Sequence, residues 1–517
     1  MTNSHALVRK ATNLFKYPYK INHTSEKVST TFVHAIIHPN LFWVQLSYFV
    51  ILSFVGFVAL KTLEFKTPSF KPKDIDVLFT AISAVTVSSM STLDMEVFSN
   101  TQLIVLMFLM FMGGEIFVSM LGLQFRKFKI KSRMINLGSN SNSDSTVRSL
   151  ECTIELGVNS NDLEPTQSKS FDQKYLMHEA IKSLGNVVLC YILVVHFIGY
   201  ILTYMYITFS PSSKSILINK GLSRNTFSLF TTVSTFANCG FIPTNENMMV
   251  FKKHSGLLLI LIGQILLGST LYPVVLQAVI LLLEKITKRV ELGHMLKYSK
   301  EMNYDQLLPK VQSLYLGMTV FGLILVQFIV FCCLEWHNMD GLDGYEKVVG
   351  SIFQVVNTRY AGETVFDLSK VSPAILLGFI VMIYDVCYQR SMHDGRGWLR
   401  KRYLPSSTTY LPVQDQENSQ RSDQKKSFVE CFLFSQLSYL IMFTISVCLT
   451  ERKKMEVDPI NFSVINIAFE VFSAYGNVGL STGYSCQHQI KPDEHCKDEL
   501  YGFVGRWSNN GKCLLIL

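Results

Sequence analysis

Long apolar runs alternate with shorter ones along this chain, and the alternation recurs four times. Runs at 41–60, 103–125, 183–205, 256–283, 314–334, 373–388 and 431–449 are candidate membrane helices, most of them near the roughly 20 residues such a helix needs. Segments at 77–87, 227–239, 345–356 and 460–475 are apolar but too short to cross. Each leads into a small polar stretch, the pattern of a segment that enters the membrane and turns back. Backbone of that kind survives at membrane depth only where protein or a water-filled cavity takes its polar groups.

The four stretches read SAVTVSSM from Ser83, STFANCGF from Ser234, VNTRYAGE from Val356 and SAYGNVGLS from Ser473. Aligned on the residue six after the first, they bring Ser89, Gly240, Gly362 and Gly479 into register. The expected fold is an all-α polytopic membrane protein of four membrane–pore-loop–membrane repeats in pseudo-fourfold arrangement. Four such pieces in one chain can ring a passage without an oligomer.

This pattern divides the chain into a cytosolic tail (1–40), repeat A (41–125), a cytosolic linker (126–180), repeat B (181–284), a second linker (285–311), repeat C (312–388), a third linker (389–427) and repeat D (428–517). Arg126, Lys127, Lys129, Lys131 and Arg133 after the second span, and Lys285, Lys288 and Arg289 after the fourth, place those exits and the N-terminus in the cytosol. Arg452, Lys453 and Lys454 oppose this topology locally, beside acidic Glu451, Glu456 and Asp458. The last apolar run, 504–517, extends about 21 Å as helix against roughly 30 Å of hydrocarbon, so the last membrane helix is expected to be incomplete.

Composition narrows the class. Charged residues are 17% of the chain and Phe occurs 37 times, whereas soluble domains carry roughly 25% charge. The net charge of +8 is not gathered in one stripe, which excludes a nucleic-acid partner. Eleven cysteines form neither a dense framework nor a spaced zinc cluster; Cys486 and Cys496 can pair if their Cα atoms fall in the narrow range a disulfide demands. His196 is solitary within a span and reads as packing. The other histidines share no ligand spacing, and no glycine loop that would cradle phosphate is present. The chain is therefore expected to be no enzyme and to need no cofactor.

The chemistry left is ion permeation. A ring of backbone carbonyls can replace an ion's water, and glycine reaches the backbone conformations such a ring needs. Ser89 breaks the glycine pattern, an asymmetry that would favour Na⁺ over K⁺. Asn238 and Asn477, each two residues before a filter Gly, are expected to brace the loops. Glu115, inside a span, either contacts a passing cation or serves helix packing. Asn461-Phe462-Ser463 has the form of a glycosylation acceptor.

VTVSSMST at 85–92, STFANCGFIPTNENM at 234–248, AGETVFDLSKVSPAIL at 361–376 and SAYGNVGLSTGYSC followed by YGFVGRW carry a resemblance. The chain resembles the plant HKT high-affinity potassium and sodium transporters of the Trk/Ktr superfamily. That resemblance implies eight spans, plasma-membrane location and a selectivity filter of Ser89, Gly240, Gly362 and Gly479. Serine at the first position looks like the mainly Na⁺-transporting class. Na⁺ or K⁺ would occupy the filter transiently, with no fixed metal site. Arg506 matches a basic residue of the family's final pore-lining helix and is assigned, with Glu115, to pore electrostatics. From Tyr384 the chain reads YDVCYQRSMHDGRG, where the family has a YLPPY-like continuation. The implied function is passive Na⁺ transport in sodium homeostasis and salt tolerance. The alternatives are Na⁺-coupled K⁺ symport and an inactive truncated variant or regulatory partner. Expected partners are monovalent cations and the bilayer, with a homodimer left open.

Overall fold

The computed structural model describes residues 41–67, 71–139, 165–268, 271–288, 290–297, 304, 306–308, 310–339, 341–393, 436–490 and 496–516. The expected tail 1–40 and most of the linker 389–427 lie outside these. The chain divides into two units, Met1–Ile51 and Leu52–Leu517; the first is described only from Leu41, and the second holds the rest of the described residues.

Helix dominates the described residues. In order they are α1 (Leu41–Thr62), α2 (Asp74–Val85), α3 (Asn100–Gly113), α4 (Glu115–Ser139), α5 (Pro165–Phe209), α6 (Pro211–Asn219), α7 (Arg224–Ala237), α8 (Ser255–Gly268) and α9 (Tyr272–Thr287). Then come α10 (Val290–Lys297), α11 (Lys310–Glu335), α12 (Gly344–Arg359), α13 (Pro373–His393), α14 (Gln436–Thr450), α15 (Arg452–Val457), α16 (Val464–Tyr475) and α17 (Asn509–Ile516). Only one isolated β-bridge, Tyr484 to Glu499, interrupts this among the described residues.

Trp43–Thr62, His178–Phe209 and Val311–Glu335 are each long and apolar enough to cross a membrane. Phe54, Phe197 and Phe321 on these helices leave 63%, 65% and 70% of their surface uncovered, a poor arrangement in water and a natural one in lipid. Two helix pairs are long and apolar enough to cross only when taken together, and each is bent: α3 meets α4 at 55°, and α8 meets α9 at 81°. The apolar run 256–283 is thus two helices rather than one.

Both bends fall beside a short helix, for a steric reason. A Cβ on Gly113 would lie 1.8 Å from the carbonyl oxygen of Val85, and one on Gly268 would lie 1.9 Å from that of Phe236. Lacking a side chain, each glycine lets a membrane helix touch the backbone at the end of α2 or α7. The helices also run past their apolar stretches, α4 to Ser139 and α5 from Pro165. In the expected linker 285–311, Leu292, Met295, Tyr304 and Leu307 are buried against Ile116, Leu184 and Leu276.

Four short helices correspond to the four expected re-entrant segments: α2, α7, α12 and α16, with 12, 14, 16 and 12 residues. At about 1.5 Å per residue none spans the roughly 30 Å hydrocarbon layer. Their starts are set by local chemistry. Ser223 and Ser463 each accept a backbone N–H from three residues on, and Asp343 with Glu346 forms a reciprocal capping box. The last helix, α17, is capped by Ser508, whose hydroxyl accepts the N–H of Gly511, so helix begins at Asn509 rather than across the whole run from 504.

Candidate functional site

Each short helix ends in a turn that reverses the chain. The N–H groups of Ser88, Cys239 and Val478 donate to carbonyls five residues back, on Ser83, Ser234 and Ser473. The third repeat closes one residue later, Gly362 donating to Asn357. The register shift has a conformational counterpart. Val87, Asn238 and Asn477 hold left-handed φ of 50°, 57° and 51°, while the equivalent Tyr360 has φ −129°. Asparagine tolerates that region better than most residues, which accounts for two of the three.

Ser89, Gly240, Gly362 and Gly479 all have positive φ, at 57°, 81°, 70° and 82°, and they are neighbours in space. A Cβ placed on Gly240 would sit 1.5 Å from Ala361 O and 3.1 Å from Ser89 Oγ; on Gly362 it would sit 1.9 Å from Val478 O. On Gly479 it would sit 2.2 Å from Ser89 Cβ. Contacts therefore run from 89 to 240, 240 to 361, 362 to 478–479, and 479 back to 89. Three of the four backbones approach so closely that only glycine fits.

Contacts tie the segments expected as repeats A to D to one another around this cluster. Between A and B, Lys220 reaches Glu96 at 2.5 Å and Glu246 at 2.6 Å, and the Glu96 N–H donates to Asn245. Burial depresses the Lys220 ammonium, but the hydrogen bonds and charges of the two carboxylates outweigh it and hold its pKa above the ordinary lysine value. Between B and C, Thr235 donates to the buried Glu363 at 2.6 Å, and Asn247 accepts the N–H of Thr364. The C–D seam is apolar, with Phe469, Val478 and Leu480 packed among Val355, Ile375 and Phe379. Within D, the buried Glu470 accepts from the Ser481 hydroxyl and the Thr482 N–H. Between D and A, the Tyr501 hydroxyl reaches Ser89 and Gly479.

The remaining sequence candidates are scattered. Asn238 donates to Gly268 O at 2.7 Å. Asn477 lines a cavity of about 400 Å³ with Ser88, Phe443 and Leu515. Glu115 begins α4 at the 55° bend and accepts a hydrogen bond from Gln306 at 2.7 Å. Arg506 lies in the 3-10 turn Phe503–Arg506 before the final helix. Its guanidinium is 3.0 Å from Glu499, donates to Lys497 O and covers the Tyr484 ring. Gly502 at φ 92° and the Ser508 cap keep that turn out of the helix.

Lys454 reaches Arg506 O and lies 3.4 Å from Glu451, and Arg452 pairs with Glu456, so acidic neighbours offset part of the charge at 452–454. His196 packs against Phe236 and Phe111 and contacts Ile192 O. Cys486 and Cys496 are bonded, with Cα atoms 5.9 Å apart. Asn461 is buried, its amide donating to Asp458 and Ser485 O, which leaves no accessible nitrogen for a sugar. No group of three metal-ligating side chains gathers among the described residues. Tyr501, Glu363 and Glu470 were not singled out by sequence, although Tyr501 opens the YGFVGRW motif and the two glutamates are acids in apolar surroundings.

Apolar, lipid-compatible helices around polar loops of this kind define a multi-pass membrane transport protein. The cation transport protein family TrkH matches residues 45–495. Sodium transporter HKT1 of Arabidopsis thaliana is 45% identical over 474 residues, covering 89% of this chain and 88% of that one. Cation transporter HKT1;3 of rice, Oryza sativa subsp. japonica, is 41% identical, covering 93% and 88%. A crystal structure of the potassium transporter TrkH from Vibrio parahaemolyticus aligns with 91% of this chain and 79% of its own at 12% identity, with a TM-score of 0.45. The chain belongs to the HKT family within the Trk/Ktr superfamily, and it transports cations, Na⁺ or K⁺, across the membrane.

Proposed function

We propose that this chain is a passive, Na⁺-selective cation pathway of the plasma membrane, built from four membrane–pore-loop–membrane repeats in pseudo-fourfold arrangement. Ser89, Gly240, Gly362 and Gly479 are its selectivity filter. The observation that carries this reading is the cyclic contact of four positive-φ residues, one at the end of each short helix. A carbonyl ring of that origin can exchange for an ion's hydration shell. Na⁺ preference is supported by Ser89, whose side chain occupies a corner where the other three positions have hydrogen. Because one chain supplies all four positions, conduction requires no homodimer. The basic exits support a cytosolic N-terminus. Sodium homeostasis and salt tolerance are the physiological roles that fit.

Expression in oocytes with ion substitution tests the reading. A current whose reversal potential follows the Na⁺ gradient and ignores K⁺ is expected. Na⁺ flux that requires K⁺ on the same side would establish coupled symport instead. Surface protein without flux would establish an inactive partner.

A further inference from the structure

The Tyr501 hydroxyl oxygen lies 2.6 Å from Ser89 O, 2.6 Å from Ser89 Oγ and 2.7 Å from Gly479 O. Three oxygens of two candidate filter residues thus converge on one phenol. We infer that Tyr501 is a positioning residue for selectivity, clamping the corner between the first and fourth filter segments at the spacing that suits Na⁺. The inference rests on the filter reading and adds a residue that neither periodicity nor the register of the four loops points to.

A phenol has one proton, and a carbonyl oxygen has two lone pairs. The arrangement that satisfies all three contacts has the Ser89 hydroxyl donating to Tyr501, and Tyr501 donating to the two carbonyls in a shared bond. Donating its proton leaves the Ser89 oxygen its two lone pairs, so the phenol fixes the direction of the serine side chain without removing it as an ion ligand. Each carbonyl keeps a lone pair, so clamping does not forbid coordination.

The phenol is itself held in place. The N–H groups of Gly502 and Phe503 both donate to Ser481 Oγ, which donates to the buried Glu470. Just upstream, Tyr484 and Glu499 exchange backbone hydrogen bonds, and Cys486 is bonded to Cys496. Widening the corner for the larger K⁺ must stretch contacts anchored on both sides, and each lost hydrogen bond in a buried network carries a cost.

The test is Tyr501→Phe in oocytes, beside Ser89→Gly and the double variant, with surface protein quantified. The reading is the K⁺/Na⁺ permeability ratio from reversal potentials, which a mere loss of folded protein would not move. Tyr501→Phe is expected to raise the ratio about fivefold, the equivalent of one neutral hydrogen bond. The double variant should exceed the larger single effect by little, because both changes release one corner. A shift with Ser89→Gly but none with surface-expressed Tyr501→Phe overturns the role of Tyr501 and leaves the filter standing. No shift with either removes both. Should Tyr501→Phe fail to reach the surface, 3-fluorotyrosine at 501 keeps the ring and strengthens the donor. It should lower the K⁺/Na⁺ ratio, and an unchanged or raised ratio overturns the inference.

Discussion

Lys512 and Asp76 stand 2.7 Å apart, both buried, although one belongs to the last helix and the other to the first short helix. The pair joins α17 to α2. Removing one partner strands a buried charge, so Lys512→Met should cost about 3–5 kcal/mol. Replacing both with apolar residues of similar volume should recover most of it. Thermal unfolding of detergent-purified protein measures this, and a double variant whose loss equals the sum of the two single losses would show that the pair is not coupled.

Ser89→Gly should raise relative K⁺ permeability, because it removes the one side chain at the cluster and one of the three contacts of Tyr501. Reversal potentials in mixed Na⁺ and K⁺ solutions read the change. An unaltered ratio in a variant present at the surface contradicts the account of Ser89.

Gly240→Ala should abolish transport. Its methyl would fall 1.5 Å from Ala361 O, and an alanine at positive φ adds about 1–2 kcal/mol of backbone cost. Tracer Na⁺ uptake normalised to surface protein checks this. Uptake above half the parent level would mean that the backbones do not approach as described.

The Lys220 cluster predicts a specific pH profile. Its folded pKa lies above the ordinary value of 10.5, so its stabilisation is fully present below that value and is lost as pH rises through the raised one. Lys220→Met should therefore lower stability by about 1 kcal/mol at pH 7, as for a partly exposed charge network. The gap between parent and variant should stay constant from pH 7 to about 9 and narrow above the ordinary lysine value. A gap that widened with alkaline pH would have the wrong sign.

Breaking the Cys486–Cys496 bond frees a loop whose ends are separated by 10 positions. Cys486→Ser should cost about 2–3 kcal/mol by loop entropy. If the loop also holds Tyr501, the K⁺/Na⁺ ratio should move in the direction of Tyr501→Phe. Unfolding curves and reversal potentials of the one variant separate the two effects.

Local order along the chain determined the spans, the four short helices and the register of Ser89, Gly240, Gly362 and Gly479. Apolar run length, glycine and serine caps act over a few residues and need no distant partner. Asn238 was singled out by its place two residues before Gly240, whereas its left-handed backbone and the bond from its amide to Gly268 O appear only in the folded chain. Tertiary structure alone decided which oxygens Tyr501 meets, that Lys512 faces Asp76, and that Glu363 and Thr235 join two repeats. It also decided that Arg506 sits in a turn against Glu499. Those contacts join residues far apart in sequence, and a hydrogen bond or ion pair depends on ångström-scale placement that hydrophobic periodicity does not encode. The chain's pattern specified the pieces, while tertiary packing set their neighbours.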